Sequence, residues 1–253
     1  MVIYSHSRLS TYEQCKLKFK FRYIDKLQPE IEHTIEGFLG GIVHESLEWL
    51  YNQVINKNIP SLEQLIEYYA IHWNKHYNSE IKIVNTELTP EFYFDKGIKF
   101  LIDYYVKNQP FSENTIAIEH QIVLDLDDSG KYQLQGFIDR LVHNKETNIF
   151  EIHDYKTGAM KTQEDLDKDR QLALYSLGVR KLFPETKDVY LIWHYLDFNE
   201  KKQSTRTIEQ LEQLKQDVIQ LITQIESEKE FNANPGILCR WCEFRKYCPH
   251  KTP

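Results

Sequence analysis

The residues of this chain that could perform chemistry concentrate in two short stretches. Gly136-Phe137-Ile138-Asp139 ends an apolar run with a carboxylate, and Asp154-Tyr155-Lys156 follows with an acid and an amine two positions apart. Side chains alternate across a β-strand, so Asp154 and Lys156 share one face if this segment is extended. Two carboxylates beside an ammonium can hold a hard divalent cation and orient a water, which is the equipment of phosphodiester hydrolysis. An Asp-x-Lys triplet is a weak signal alone, because most charged runs are solvated surface. Phe137, Ile138, Leu141, Phe150 and Ile152 strengthen it, since such neighbours place the acids at the mouth of a buried sheet.

The four cysteines form a second constellation: Cys15 near the start, then Cys239, Cys242 and Cys248 together. A Cys-x-x-Cys pair with a third cysteine close by has metal spacing. All-cysteine zinc sites usually show two paired Cys-x-x-Cys units. One pair and two singletons therefore tilt the reading toward an iron–sulfur cluster, with zinc as the alternative. Either group would clip residues 1–26 to 230–253 and close a loop of nearly the whole chain. The clip would also merge Lys16, Lys18, Lys20 and Arg22 with Arg240, Arg245, Lys246 and Lys251. That patch would suit phosphates, although the net charge of −7 is unfavourable for them as a whole.

Patterning supplies the elements that must position these groups. Ser10-Thr-Tyr-Glu13 has capping-box spacing and predicts a helical region through about residue 24. Gly40-Gly-Ile-Val-His44 predicts the start of a helix with Val43, Leu47, Leu50, Tyr51 and Val54 on one side. Helices follow near 61–77 and 90–107. Strand-like runs cover 115–126, 132–143 and 148–156, the first two joined by an Asp127-Asp-Ser-Gly130 turn. A helix over 164–182, a strand over 188–198 and a polar helix over 207–229 complete the order. Helices, an antiparallel meander, a crossover helix and a returning strand imply an α/β (α+β) fold, a mixed sheet flanked by helices.

A chain of 253 residues with 41% hydrophobic residues can bury a sizeable core, and 9 Gly and 8 Pro argue against disorder. There is no repeat of fixed period. No apolar run approaches membrane-spanning length, and the first residues lack a cleavage-site pattern, so a cytoplasmic protein with no membrane partner is expected.

Five pieces, in order, carry a family resemblance: Ser7-x-Leu9-x-x-Tyr12-x-x-Cys15-x-x-x-Phe19; Gly40-x-x-x-His44; Gly136-x-x-Asp139; Asp154-x-Lys156-Thr157; and Gln171-x-x-x-Tyr175, before the cysteine tail. On them the chain resembles the PD-(D/E)XK nucleases of the RecB type. Within these it is most similar to the group with an iron–sulfur cluster, which includes CRISPR-associated RecB-like exonucleases and AddB-type recombination subunits. Two positions depart from the pattern: Lys16 replaces a proline often found after the first cysteine, and Ile138 replaces one before Asp139. No Gly-x-x-x-x-Gly-Lys-Ser/Thr loop is present, so a fused helicase motor is not expected.

The resemblance implies a restriction-endonuclease-like central sheet in one domain over 1–253, with a helical lobe at about 45–110 and the cysteine region at the end. It implies that His44, Asp139 and Asp154, with the Tyr155 carbonyl, ligate Mn²⁺ or Mg²⁺, and that Lys156 positions or activates water. An imidazole beside carboxylates tilts the preference toward Mn²⁺. Cys15, Cys239, Cys242 and Cys248 would hold a [4Fe–4S] cluster, with Zn²⁺ as the alternative. Gln171 and Tyr175, four apart on one helix face, are candidate DNA contacts or supports, as are Glu119, Lys16, Lys18, Lys20, Arg22 and Arg240. The expected function is a metal-dependent deoxyribonuclease, an exonuclease on single-stranded DNA or DNA ends, in repair, recombination or CRISPR adaptation. The alternative is a non-catalytic or partner-dependent DNA-binding subunit beside an integrase or a helicase. A colourless, zinc-binding structural protein is the third reading.

Overall fold

The computed structural model describes residues 2–30 and 34–250; Met1 and Lys251 lie outside them. Among the described residues six strands form one mixed sheet: β1 (Ile3–Ser5), β2 (Thr115–Asp125), β3 (Gln133–Asn144), β4 (Ile149–Lys156), β5 (Asp188–Tyr195) and β6 (Glu200–Ser204). Eight α-helices surround it among the described residues: α1 (His6–Gln14), α2 (Lys16–Phe19), α3 (Ile35–Ile55), α4 (Leu62–His76), α5 (Pro90–Asn108), α6 (Gln163–Asp167), α7 (Gln171–Leu182) and α8 (Ile208–Ser227). This is a mixed α/β fold of the restriction-endonuclease-like kind.

Helix starts follow from local hydrogen bonding. Ser61 and Gln64 form a reciprocal capping box on α4, and Thr207 and Gln210 do the same on α8. Thr89 caps α5, whose first residue is Pro90. Two predicted starts are displaced. The cap of α1 is Ser5, whose Oγ accepts from the Arg8 N–H at 3.2 Å, so Ser10 lies inside the helix. Helix α3 begins at Ile35, capped by Thr34, which puts Gly40 and His44 in its interior. The helix expected over 164–182 breaks between α6 and α7, and strands β1 and β6 are additions to the expected set.

The sheet runs β1-β3-β4-β5-β6, with β2 paired to β3 outside that path. Strand β2 lines one edge of β3 from Gln133 to Val142. The other edge must then serve both remaining neighbours. Strand β1 pairs with it in parallel at Gln133–Gln135, and β4 pairs antiparallel from Arg140 to Asn144. Residues 136–139 lie between these two pairings, so the sheet forks there. Strand β4 continues along β5 up to Lys156, and its end therefore stands on the far prong of the fork.

Two apolar clusters hold the sheet. Leu9, Ile138, Ile152, Leu174, Trp193 and Ile222 pack it against α1, α7 and α8. Leu47, Tyr51, Leu65, Tyr69, Phe100 and Tyr155 join it to α3, α4 and α5. Of the apolar residues flanking the acids, Ile138, Leu141, Phe150 and Ile152 are buried, while Phe137 is exposed. Among the described residues no helix is long and apolar enough to cross a membrane.

A glycine is required at the fork. A Cβ on Gly136 would sit 2.1 Å from Cε1 of Tyr175, because the tyrosine ring of α7 lies directly on the strand. Gly136→Ala should therefore cost about 1–3 kcal/mol of stability through overpacking. A double-mutant cycle by denaturant unfolding checks the cause. Most of the cost should vanish in a Tyr175→Ala background, and an equal cost in both backgrounds would rule out the collision.

Candidate active site

The fork leaves the end of β4 without a backbone partner on its β3 side, and side chains take over. Asp139 Oδ2 accepts the Tyr155 N–H at 2.9 Å. The Tyr155 carbonyl lies 2.7 Å from His44 Nε2, so this imidazole nitrogen carries the proton and donates. Helix α3 passes close to the end of β4 here: a Cβ on Gly40 would stand 3.1 Å from Thr157 Oγ1, a tight contact. The Tyr155 ring points the other way, into the α3–α5 cluster, with its hydroxyl 3.2 Å from that of Tyr104.

Asp154 and Lys156 meet on one face, with Lys156 Nζ 2.7 Å from Asp154 Oδ2 and 2.9 Å from Oδ1. Gln171, at the first turn of α7, bridges them: its Nε2 donates to Asp154 Oδ1 and its Oε1 accepts from Lys156, both at 3.2 Å. Asp169, which the sequence did not single out, holds Gln171 by accepting its backbone N–H at 2.8 Å and pairs with Lys161 at 2.6 Å. No spacing signal marks it. Tyr175, one turn along α7, is buried on Gly136.

His44, Glu119 and Asp139 bring one ligand atom each within 4.8 Å of one another. Glu119 reaches this group through an unusual backbone: its φ is 45°, in the left-handed region that residues with a side chain seldom occupy. Asp154 faces Lys156 and Gln171 instead, beside this trio. Its Oδ2 is buried and makes no directed hydrogen bond, despite the lysine's proximity.

The electrostatics are those of a site short of positive charge. Burial, and then the neighbouring Asp154, push the Asp139 carboxyl up to about 8. Burial, then Asp139 and Glu48, push Glu119 to about 7. Burial would pull Lys156 down, yet Asp154 and then Asp139 hold it above the usual lysine range, so it stays an ammonium. A single lysine does not neutralise three crowded carboxyls. Carboxylates, an imidazole and a backbone carbonyl fit a divalent cation.

Behind β4 the chain buries a second charge. Arg140 is inaccessible to solvent; it donates to Glu113 and to His153 Nδ1, both at 2.7 Å, and its guanidinium lies 4.2 Å from the centre of the Tyr51 ring. Burial, then Arg140, push His153 well below the usual histidine range, so it is neutral and Nδ1 is free to accept. This network braces β3 against β4 at their last pair, Arg140–His153.

The two chain ends pack together. Cys15, Cys239, Cys242 and Cys248 line one cavity of about 320 Å³, walled by Leu17, Phe21, Leu238 and Phe244. All four are free thiols. The basic residues beside them are matched by internal acids: Lys16 by Glu228 at 2.5 Å, Lys18 by Glu243 at 3.1 Å, Lys20 by Asp25 at 3.1 Å, and Arg22 by Glu243. Arg240 is exposed.

A family model described as the PD-(D/E)XK nuclease superfamily matches residues 3–249. No curated protein matches this sequence. Among solved structures, a protein of Eubacterium rectale that bears the name putative exonuclease aligns over 99% of this chain and 90% of its own. Its TM-score is 0.50 and its identity 11%, a likeness of fold alone. The structure of SSO0001 aligns over 72% of this chain and 81% of its own, with TM-score 0.39 and 14% identity.

The crowding of carboxyls has a consequence for the metal-free protein. An unfolded Asp titrates near 4, whereas Asp139 in the fold titrates at about 8. The folded state thus holds the extra proton, and the contribution of this group to stability is fully present below pH ~4 and is lost as pH rises toward 8. Asp139→Asn keeps the acceptor for Tyr155 and lacks this penalty. With chelator present, its melting temperature should gain on the parent progressively from pH 4 to 8. A gap that does not change with pH would contradict the assignment.

Proposed function

This chain belongs to the PD-(D/E)XK nuclease superfamily, and from that premise we propose a metal-dependent deoxyribonuclease that acts on single-stranded DNA or DNA ends. One observation carries the reading: Asp139, Asp154, Lys156, His44 and the Tyr155 carbonyl converge where the sheet forks. The name of the Eubacterium rectale neighbour agrees with action at ends. The pathway suggested by the RecB-type resemblance is DNA repair, recombination or CRISPR adaptation in the cytoplasm.

Proteins of this superfamily use divalent metals. Here His44, Asp139, Asp154 and the Tyr155 carbonyl would hold Mn²⁺ or Mg²⁺, with Glu119 as a further donor, and the mixed donor set leans to Mn²⁺. The cation supplies charge for the scissile phosphate and acidity for a water. Lys156, as an ammonium, places its positive charge beside that water and the developing phosphoryl charge. Gln171 fixes both Asp154 and Lys156, so the pair keeps its orientation as charge redistributes. Asp139 is held by the Tyr155 amide, which limits its rotation.

The cysteine cavity supports a [4Fe–4S] cluster over a lone zinc ion. Four thiolates around one zinc leave no space between them, whereas about 320 Å³ with apolar walls accommodates a cluster. A second reading, dependence on an integrase or helicase partner for DNA binding, is favoured by one observation. Lys16, Lys18, Lys20 and Arg22 already have internal acid partners, which weakens their hold on phosphate.

End-labelled and circular DNA, single- and double-stranded, digested with Mn²⁺ test the proposal. Linear single strands should be degraded and circles spared. Asp139→Ala and Asp154→Ala should each lower turnover by at least ~10²-fold with the fold retained. Lys156→Ala should reduce turnover while Mn²⁺ affinity changes little. Either aspartate variant cutting like the parent would place the chemistry elsewhere.

Cys15→Ala tests the cluster by colour. Wild-type protein purified without oxygen should be brown, and the variant should bleach and melt at a lower temperature. A colourless wild type, or a variant that stays brown, would contradict the cluster assignment.

A further inference from the structure

Away from the fork, ligand-type side chains converge a second time, between α3 and α4. Glu45 on α3 and His72 and His76 on α4 bring a carboxylate oxygen and two ring nitrogens within 4.8 Å of one another. The two histidines are four apart and so share a helix face. We propose that Glu45, His72 and His76 form a zinc-binding site, separate from the His44–Asp139 cluster and independent of the nuclease reading.

An ion pair accounts for only part of the arrangement. Glu45 Oε1 lies 2.7 Å from His72 Nδ1, yet that buried nitrogen makes no directed hydrogen bond. A pairing contact also gives no reason for His76 to be within reach of both groups. The His72 ring is held in plane before any ion arrives: it stacks on Tyr68 with centroids 4.0 Å apart, and Tyr68 stacks on Trp49 of α3 at 4.7 Å. Such preorganisation lowers the ordering cost of binding. Two imidazoles with one carboxylate are a borderline donor set, which suits Zn²⁺ better than Mg²⁺ or Ca²⁺. Three protein ligands leave a fourth position for water. Glu45 directly follows His44, so an ion shared by α3 and α4 braces the helix that presents His44 to the Tyr155 carbonyl.

The test uses tag-free, full-length protein, treated with chelator, desalted and titrated with Zn²⁺ by calorimetry, with zinc per chain counted by mass spectrometry. His76 is exposed at the end of α4, so His76→Ala leaves the core untouched. Wild type should take up one zinc equivalent more than His76→Ala, and Asp139→Asn one more than the Asp139→Asn/His76→Ala double variant, and zinc should raise the melting temperature less wherever His76 is replaced. Co²⁺ in this position should give d–d bands without thiolate charge transfer, which separates it from the cysteines. A His76→Ala variant that binds as many zinc ions as wild type, with unchanged affinity, would overturn the proposal.

Discussion

Strand β3 has only two edges, and β2 occupies one of them along its length. Strands β1 and β4 must share the other, and the interval between their pairings leaves buried polar backbone at the end of β4 without a ladder. Buried N–H and C=O groups are almost always satisfied in a fold. The Tyr155 N–H finds Asp139, and its C=O finds His44. The side chains best suited to a metal are therefore tied to the sheet by the same bonds that repair its interrupted ladder. Structure and site are one constraint.

The charges around that point are distributed across the sheet. Asp139, Asp154 and Glu119 crowd on the open side, two of them with strongly raised pKa values. Arg140 lies buried behind, engaged by Glu113, His153 and the Tyr51 ring, and no bond joins it to the carboxyls in front. A buried guanidinium withdrawn into its own network does not discharge the site. The deficit of positive charge at the mouth persists, and a dication there would relieve it.

How much of this the sequence revealed depends on the range of the interaction. Asp154 and Lys156 were legible because a strand's period of two is local, and α4, α5 and α8 because their caps and apolar faces lie within one segment. Strand β1 is three residues long, and β6 reads Glu-Lys-Lys-Gln-Ser, with no apolar alternation to betray it. The break before Gln171 depends on the Asp169 carboxylate, which a helical period does not report. Glu119 joins the trio through a left-handed backbone turn that strand patterning conceals. The basic residues of the first helices read as a phosphate patch because Glu228 and Glu243, their partners, are about 200 residues away in sequence.

The central claim is that one divalent cation binds at the fork, held by His44, Asp139, Asp154 and the Tyr155 carbonyl. Anomalous diffraction at the manganese edge from a crystal soaked in Mn²⁺ addresses it directly. The account predicts a strong peak bonded to both aspartates and to that carbonyl, with His44 turned from the carbonyl to the ion. A peak elsewhere, with the His44–Tyr155 hydrogen bond intact, would contradict it.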